Sequence, residues 1–299
     1  MLNKIISLID PFPWLAGKAP TIGLIFSSHS RLNNILPVID NMARDFGIPL
    51  IRNGFGSLLQ IVIGGDGTNI ATVRQMPDLQ VPVFGIKGGT YNAAPLIEAD
   101  KVSATLKNFL ANKYSLAQRN LFSIGLPLRT IGHDRYGDLI LGYRSRGQET
   151  RLRVINEVVL NYIGDSPLRI EMPEAGFNFR GNGFLLCTAL GSTAENFSYQ
   201  GLEIPYDHSG YVFTPIAPYR RLDAPTEREA VSGVIELGSK QYIEISYLRQ
   251  SFYVKHGLKL HIDNRSPIFI PRSIHGKELT RVKIPVYKEE PWRTIRPVN

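Results

Sequence analysis

The first part of the chain alternates between short apolar runs and stretches with helical periodicity. Three runs rich in β-branched residues have the pattern of buried strands, at positions 21–26, 58–63 and 81–86. Apolar residues recur at helical spacing after each run, over about 32–46, 69–75 and 99–111. Pro37 lies within the first helical stretch and predicts either a kink or a late helix start. Strands that alternate with helices predict a doubly wound parallel sheet, so we assign an α/β domain to residues 1–120.

The pattern changes after Asn120. Short segments of alternating apolar and polar residues follow, separated by turn residues, at 121–127, 140–143, 154–161, 168–171, 183–188, 243–248 and 258–263. No long helical pattern lies between them, so we assign a β-rich domain to residues 121–299. The tail after Val286 is rich in proline and charge, and we expect it to be extended.

Composition excludes several classes of protein. Hydrophobic residues make up 43% of the chain and charged residues 20%, which argues against a disordered or fibrous protein. No apolar run approaches the roughly 20 residues of a membrane-spanning helix. Asp10 and two prolines interrupt the apolar stretch near the amino terminus, which makes it a poor secretory signal. Cys187 is the only cysteine and cannot form an internal disulfide, so with the poor signal we expect a cytoplasmic protein. The lack of a long apolar run predicts no membrane partner.

Charge narrows the range of partners. The net charge of +8 suits anionic partners such as nucleotides or polyphosphate, although a solubilising surface explains it equally well. The Lys and Arg residues are scattered and no DNA- or RNA-binding signature is present, so we expect no nucleic-acid partner. The six histidines lack metal-ligand spacing, so we predict no residue as a metal ligand.

The strongest candidate for chemistry is the loop Gly64, Gly65, Asp66, Gly67 and Thr68, which directly follows the second predicted strand. Glycines let backbone N–H groups approach phosphate oxygens without side-chain interference. The carboxyl end of a parallel strand is where open α/β sheets bind ligands. A single acid among phosphate-binding glycines is costly unless it binds a proton, a metal or a ribose hydroxyl. The alternative is a tight turn in which Asp66 caps the next helix.

This loop resembles the GGDGT motif shared by NAD kinases, diacylglycerol kinases and sphingosine kinases, which implies phosphoryl transfer to a hydroxyl. Further segments look like NAD kinase motifs and occur in the family's order: VINEVVL at 154–160, RGNG at 180–183, GSTA at 191–194, TPIAP at 214–218 and LHID at 260–263. The resemblance covers residues 20 to 265, and the chain is identified as a divergent member of the NAD kinase family.

The resemblance implies a reaction and its participants. ATP or inorganic polyphosphate would donate a phosphoryl group to the 2′-hydroxyl of the adenosine ribose of NAD, with Mg²⁺ or another divalent cation, to give NADP. Asp66 would be the general base that accepts or orients the hydroxyl proton. The loop residues Gly64, Gly65, Gly67 and Thr68 would contact the donor phosphates. The active site would lie between the two domains of a homo-oligomer, a dimer or tetramer.

The resemblance also assigns residues to the dinucleotide. Asn156 would hydrogen-bond adenine, Glu157 would sit beside it, and Thr193 and Ala194 would line the site. Arg180 would offer its guanidinium to a phosphate or a carboxylate. Each has an alternative interpretation: Asn156 and Glu157 as a turn or strand end, Arg180 as a surface arginine, and the GSTA segment as a helix N-cap.

Three departures from the family pattern bear on the acceptor. Asn182 stands where the family has an aspartate that helps hold the nicotinamide end, and Glu195 stands where it has a stacking tyrosine. Residues 89–92 resemble the lipid kinase pattern GTGN instead of the NAD kinase pattern. Lys87, just before them, is either a cation for a phosphate or an ordinary exposed lysine. Two further functions therefore stay open: a lipid or other small-molecule hydroxyl kinase, and a non-catalytic NAD-binding sensor.

Overall fold

The computed structural model describes residues 12–15, 17–27, 34–88, 97–126, 128–133, 139–143, 150–163, 167–218, 231–247, 257–262, 268–270 and 280–296. Its strands are β1 (Ile22–Phe26), β2 (Leu50–Arg52), β3 (Leu59–Gly64), β4 (Val83–Lys87), β5 (Ser115–Arg119), β6 (Phe122–Leu126), β7 (Leu128–His133), β8 (Leu139–Tyr143), β9 (Thr150–Val154), β10 (Glu157–Ile163), β11 (Leu168–Met172), β12 (Phe177–Gly181), β13 (Gly183–Cys187), β14 (Tyr211–Ile216), β15 (Gly233–Ile235), β16 (Gln241–Tyr247), β17 (Gly257–Ile262), β18 (Ile268–Ile270), β19 (Thr280–Lys288) and β20 (Trp292–Arg296). Its α-helices are α1 (Leu36–Phe46), α2 (Asp66–Gln75), α3 (Val102–Leu110) and α4 (Glu195–Ser198). Single 3₁₀ turns span Pro13–Leu15, Ala99–Lys101, Pro173–Ala175 and Gly191–Thr193.

The described residues divide into two compact units. The first contains the residues up to Arg119 together with those from Glu290 onward, and the second runs from Asn120 to Glu289. The last strand of the chain therefore lies in the first unit, which corrects the sequence-based assignment of the whole tail to the β-rich domain. The physical reason is non-local pairing, because β20 hydrogen-bonds to β4 and β5, which lie far away in the sequence.

The sheet of the first unit has the strand order β2-β1-β3-β4-β20-β5. Strands β1 to β4 are parallel, and β5 runs antiparallel to β20. The predicted parallel α/β sheet is therefore confirmed. From β1 the chain passes to β2 on one side, whereas from β3 it passes to β4 on the other side. The sheet thus has its switch point between β1 and β3, and the carboxyl ends of such strands form the usual ligand crevice.

The helices of this unit differ from their predicted bounds for local reasons. Helix α1 begins at Leu36 with Pro37 in its first turn, which agrees with the late start that the proline predicted. Helix α3 is preceded by a 3₁₀ turn, so its α-helical part is shorter than the predicted stretch.

The second unit consists of two sheets that bury a common core, so the predicted β-rich half is confirmed. One sheet has eight strands in the order β15-β14-β13-β10-β17-β18-β8-β7, and the other has six in the order β12-β11-β16-β19-β6-β9. Alternate residues of β10, β13 and β14, such as Val158, Leu186 and Phe213, face the six-stranded sheet. Their neighbours Val159 and Leu185 pack on the other side against the chain around Ile204. The eight-stranded sheet is therefore covered on both faces along these strands.

Among the described residues, none of the helices combines the length and the hydropathy that a bilayer crossing would need.

The returning strand should contribute measurably to stability. Ile295 on β20 is 4% exposed, so Ile295→Val should lower the free energy of unfolding by about 0.5–1.5 kcal/mol. Ile51 on the edge strand β2 is 39% exposed, and Ile51→Val is the matched control with little expected change. Guanidinium unfolding followed by circular dichroism measures both. Equal effects of the two substitutions would contradict the buried position of β20.

Candidate active site

The loop after β3 has the geometry of a strand-to-helix turn at the switch point of the first sheet. Strand β3 is buried throughout and ends at Gly64, and α2 begins two residues later at Asp66. The N–H of Ser27, at the end of β1, donates to the carbonyl of Ile63 at 3.0 Å. The loop therefore lies at the carboxyl end of β3, beside the end of β1.

Gly65 occupies the N-cap position of α2, so the alternative in which Asp66 caps this helix is wrong. The carbonyl of Gly65 accepts from the N–H groups of Thr68 and Asn69 at 3.1 and 3.2 Å. The Asn69 side-chain amide donates to the same carbonyl at 3.1 Å. Asp66 is the first helical residue and half-buried, so its carboxylate lies where the partial positive charge of the helix is concentrated.

Packing requires glycine at one position of the loop but not at another. A Cβ on Gly64 would lie 2.6 Å from the Thr68 hydroxyl oxygen, so glycine there is required by the packing of α2 on β3. A Cβ on Gly67 would meet nothing within 4 Å, so the protein's own packing does not require glycine at that position. The Gly64 carbonyl accepts from the N–H of Gly88 at 3.0 Å, which ties the loop to the end of β4.

A second cluster of predicted residues forms in the β-rich unit. The Thr188 hydroxyl donates to the carbonyl of Ile155 at 2.7 Å, and the Thr188 N–H donates to the carbonyl of Asn156 at 2.8 Å. A Cβ on Gly191 would lie 2.3 Å from the Asn156 carbonyl oxygen, so only glycine allows this approach. The turn before β10 and the GSTA segment, which are distant in sequence, are thereby brought into contact.

The polar residues of this cluster are buried. Asn156 is 6% exposed and Glu157 is fully buried. Glu157 begins β10 and is the cross-strand partner of Cys187 at the end of β13. Burial raises the pKa of the Cys187 thiol well above its ordinary value, and the neighbouring Glu157 raises this pKa further. The interpretation of Asn156 and Glu157 as a strand end agrees with their place at the start of β10, and it is compatible with a binding role.

The hydroxyl groups of the GSTA segment do not cap a helix. Ser192 is fully buried; its hydroxyl donates to the carbonyl of Ala189 at 2.8 Å and accepts from the N–H of Ile204 at 3.2 Å. The short helix α4 has Ala194 at its N-cap position with no side-chain cap, so the interpretation of Ser192 or Thr193 as the capping residue is wrong. Thr193 and Ala194 are half-buried at the surface of this turn.

Asn196 is a buried structural support of the GSTA segment that the sequence analysis missed. It is fully buried, and its side-chain amide donates to the carbonyls of Ser192 and Leu202, both at 3.0 Å. Its carbonyl oxygen accepts from the Thr214 hydroxyl at 2.6 Å. This network holds the GSTA segment against β14. The sequence gives no signal for this role, because a polar residue such as asparagine is normally expected to be exposed.

Arg180 and Asn182 lie at the opposite end of β13 from this cluster. Gly183 pairs with Asn161, whereas Cys187 pairs with Glu157. Four residue steps of about 3.3 Å separate the two ends, or about 13 Å. Both Arg180 and Asn182 are exposed. The structure therefore does not bring them beside Asn156, and their roles stay predictions.

Two predicted segments fall partly or wholly outside the described residues. The lipid-kinase-like loop with Gly89, Thr90 and Asn92 is not among them. In the late LHID motif, Ile262 ends strand β17 and Asp263 lies outside the description. Within the described ranges no group of three or more His, Cys, Asp or Glu residues is arranged to hold a metal ion.

The buried thiol supplies a chemical test of the β10–β13 pairing. Folding raises the pKa of Cys187, so the neutral thiol favours the folded protein. This contribution to the free energy of unfolding is complete below the pKa of the unfolded thiol, which is near 9.0, and it is lost as the pH rises above that value. We therefore expect no alkylation of the folded protein by iodoacetamide at pH 8, and rapid alkylation in guanidinium, as measured by mass spectrometry. Rapid labelling of folded protein would contradict the pairing.

The fold and these two clusters define a class of proteins: a parallel α/β unit with a glycine-aspartate loop at its switch point, joined to a two-sheet β-rich unit. Comparisons with known proteins show which family the chain is similar to. Residues 46–114 match the family described as the ATP-NAD kinase N-terminal domain. An NAD kinase of Helicobacter acinonychis is 26% identical over 233 residues, which cover 76% of this chain and 74% of the relative. An NAD kinase of Geobacter sulfurreducens is 25% identical over 272 residues, covering 84% and 88%.

Two solved structures share the fold. Yeast NADH kinase complexed with NADH superposes with a TM-score of 0.64 at 14% identity, covering 93% of this chain and 84% of that one. An NAD kinase from Archaeoglobus fulgidus in complex with ATP superposes with a TM-score of 0.58 at 14% identity, covering 92% and 93%. Along most of its length the chain is therefore similar to NAD kinases, and residues 46–114 match the family's N-terminal domain.

Proposed function

We propose that this protein is an NAD kinase that transfers the terminal phosphoryl group of ATP to the 2′-hydroxyl of the adenosine ribose of NAD, which gives NADP and ADP. The observation that carries the proposal is the place of Asp66, the first residue of α2, at the carboxyl end of β3 beside the switch point. Relatives named NAD kinase along most of the chain support the same activity.

The loop is suited to the donor phosphates. The first N–H groups of a helix have no partner within the helix and carry partial positive charge, so they attract phosphate oxygens. Gly67 is exposed with open space where a Cβ would stand, so a phosphate can approach the backbone there. Gly64, Gly65 and Thr68 fix the position of this turn. The complex of a structural relative with ATP supports ATP as donor, and inorganic polyphosphate offers the same phosphate chemistry.

In the reaction, Asp66 accepts the proton of the 2′-hydroxyl. The freed oxygen forms a bond to the γ-phosphorus while the bond between that phosphorus and the β–γ bridging oxygen breaks, and ADP leaves with the bonding electrons. A positioned general base contributes about 10²–10⁴-fold to such a rate. The proton therefore ends on Asp66 and is released to solvent when the products leave.

A divalent cation fits this donor set as a companion of the nucleotide. Phosphoryl-transfer sites usually hold Mg²⁺ through one or two carboxylates and the substrate phosphates, so no dedicated cluster is needed. The carboxylate oxygen of Asp66 that does not take the proton would supply one hard ligand of this kind, and the described residues add no metal cluster. When bound, Mg²⁺ neutralises charge on the transferred phosphoryl group.

We place the acceptor's dinucleotide at the cluster around Asn156. Its amide can both donate to and accept from adenine, and the buried Glu157 beside it accepts from ribose hydroxyls. Thr193 and Ala194 line the same turn. We assign Arg180 and Asn182, which lie at the other end of β13, to the phosphate and nicotinamide ends.

We further propose that the enzyme is a cytoplasmic homo-oligomer without a nucleic-acid or membrane partner. Large apolar side chains near the GSTA segment support an interface, since Phe197 is 66% exposed and Val231 is 64% exposed. Light scattering of the purified chain measures the oligomer, and a monomer at all concentrations would contradict it.

The experiment is a panel assay of the purified protein. Labelled ATP and Mg²⁺ are offered with NAD, NADH, a diacylglycerol and a sphingoid base, and polyphosphate replaces ATP in a parallel series. We expect a product at NAD that a NADP-dependent dehydrogenase reduces. Phosphorylation of lipid without NADP formation would make the protein a lipid kinase. NAD binding in calorimetry without turnover under any donor or metal would make it a sensor.

A further inference from the structure

Lys87 lies at the edge of the proposed donor site. It is the last residue of β4, and its register partner on β3 is Gly64, the first residue of the glycine loop. The next N–H along the chain, that of Gly88, donates to the Gly64 carbonyl at 3.0 Å. The backbone at Lys87 is therefore fixed directly beside the loop.

The side chain of Lys87 leaves the sheet on the side of α2. Register partners on neighbouring strands direct their side chains to the same face of a sheet. A Cβ built on Gly64 would point at the Thr68 hydroxyl in the first turn of α2. Since neighbouring strands lie about 4.8 Å apart, the flexible stem of Lys87 is long enough to extend to the space next to that turn.

An acidic partner already holds this ammonium. Lys87 Nζ lies 3.0 Å from Glu98 Oε1, with side chains that are 35% and 58% exposed. Glu98 is placed by its neighbour Ile97, whose carbonyl accepts from the Lys87 N–H at 3.0 Å. An exposed ion pair of this kind adds little stability, about 0–1 kcal/mol. The ammonium has three donors, so it can take up a phosphate as well.

We propose that Lys87 is a phosphate-binding residue of this site and that Glu98 is its intramolecular competitor, which weakens the hold of the site on the donor's phosphates. The inference rests on the proposed function for the identity of the donor. The ligand class is a nucleoside triphosphate or a linear polyphosphate, since both present adjacent anionic oxygens to a lysine next to a helix N-terminus.

The two residues should act with opposite signs. Lys87→Met removes a charged donor and should raise the Kd for ATP about 10- to 100-fold. Glu98→Gln removes a competing negative charge and should lower this Kd about 2- to 5-fold. Lys87→Arg keeps the charge and should recover most of the affinity. A pair with only a structural role would give equal losses of thermal stability in Lys87→Met and Glu98→Gln and no change in ATP affinity.

The test is calorimetry of the full chain with ATP and with inorganic tripolyphosphate, at fixed ionic strength, beside thermal unfolding of each variant. Lys107→Met, at an exposed position of α3, is the matched control with unchanged affinity. Weakened binding of both probes in Lys87→Met, with tighter binding in Glu98→Gln, supports the inference. Unchanged binding in Lys87→Met, weakening of ATP but not of tripolyphosphate, or the same sign in both variants would overturn it.

Failure of this inference is distinguishable from failure of the proposed function. A wild-type protein that binds ATP through Lys87 but makes no NADP would remove the kinase proposal and leave Lys87 as a phosphate-binding residue. Normal NADP formation with unchanged ATP affinity in Lys87→Met would remove only the role of Lys87.

Discussion

Asp66→Asn should lower the turnover number for NADP formation by about 10²–10⁴-fold, because an amide cannot accept the proton of the ribose hydroxyl. The KM for ATP should change much less, since the loop backbone that meets the phosphates is set by Gly64 and Gly65. The side chains of Asp and Asn have the same shape, and Asp66 is only half-buried, so the fold should persist. Steady-state kinetics with a coupled NADP assay measure both constants.

Asp100→Asn is the matched control for this substitution. Asp100 is an exposed acid of the same unit, in the 3₁₀ turn before α3, and its change removes the same charge. The control should keep wild-type turnover and the same circular dichroism spectrum. A folded Asp66→Asn protein that turns over at a near-normal rate would exclude Asp66 as the base.

The first sheet could largely be predicted because its signals are local. The runs that became β1, β3 and β4 are apolar and β-branched, and the glycine loop marks the end of β3 unambiguously. Strand β20 could not be found in this way. It is short and mixes buried Trp292 and Ile295 with polar residues, and its partners lie about two hundred residues earlier in the chain.

Which residues meet in each candidate site depends on strand register, and the hydrophobic periodicity of the sequence does not reveal register. Asn156 and Gly191 meet because Glu157 pairs with Cys187, and the same register moves Asn182 to the far end of β13. The resemblance put all of these residues into one dinucleotide site, whereas the strand pairing separates them into two groups. The direction of Lys87 likewise follows from its pairing with Gly64 and not from its own sequence neighbourhood.

Gly191→Ala should raise the KM for NAD about 100-fold, because a displacement of about 1 Å in a binding constellation costs that much. The new Cβ would lie 2.3 Å from the Asn156 carbonyl oxygen, far inside contact distance, so the turn that carries Asn156 must move. Asn156 and the GSTA segment would then no longer face a common dinucleotide. ATP affinity should stay unchanged, because the donor loop lies in the other unit. Kinetics with varied NAD and calorimetry with ATP separate the two effects.

Gly238→Ala is the matched control, because it is the same substitution at a position where the new Cβ makes no close contact. A Cβ at Gly238 would lie 3.8 Å from its nearest neighbour, the amide nitrogen of Gln241, which is ordinary contact. Both glycines are in the β-rich unit and neither has a positive φ, so each change has the same small effect on the unfolded chain. We expect wild-type NAD kinetics from Gly238→Ala. If Gly191→Ala is folded and also keeps the wild-type KM for NAD, the dinucleotide does not bind at the Asn156 turn, and the acceptor site must be sought at the Arg180 end of β13.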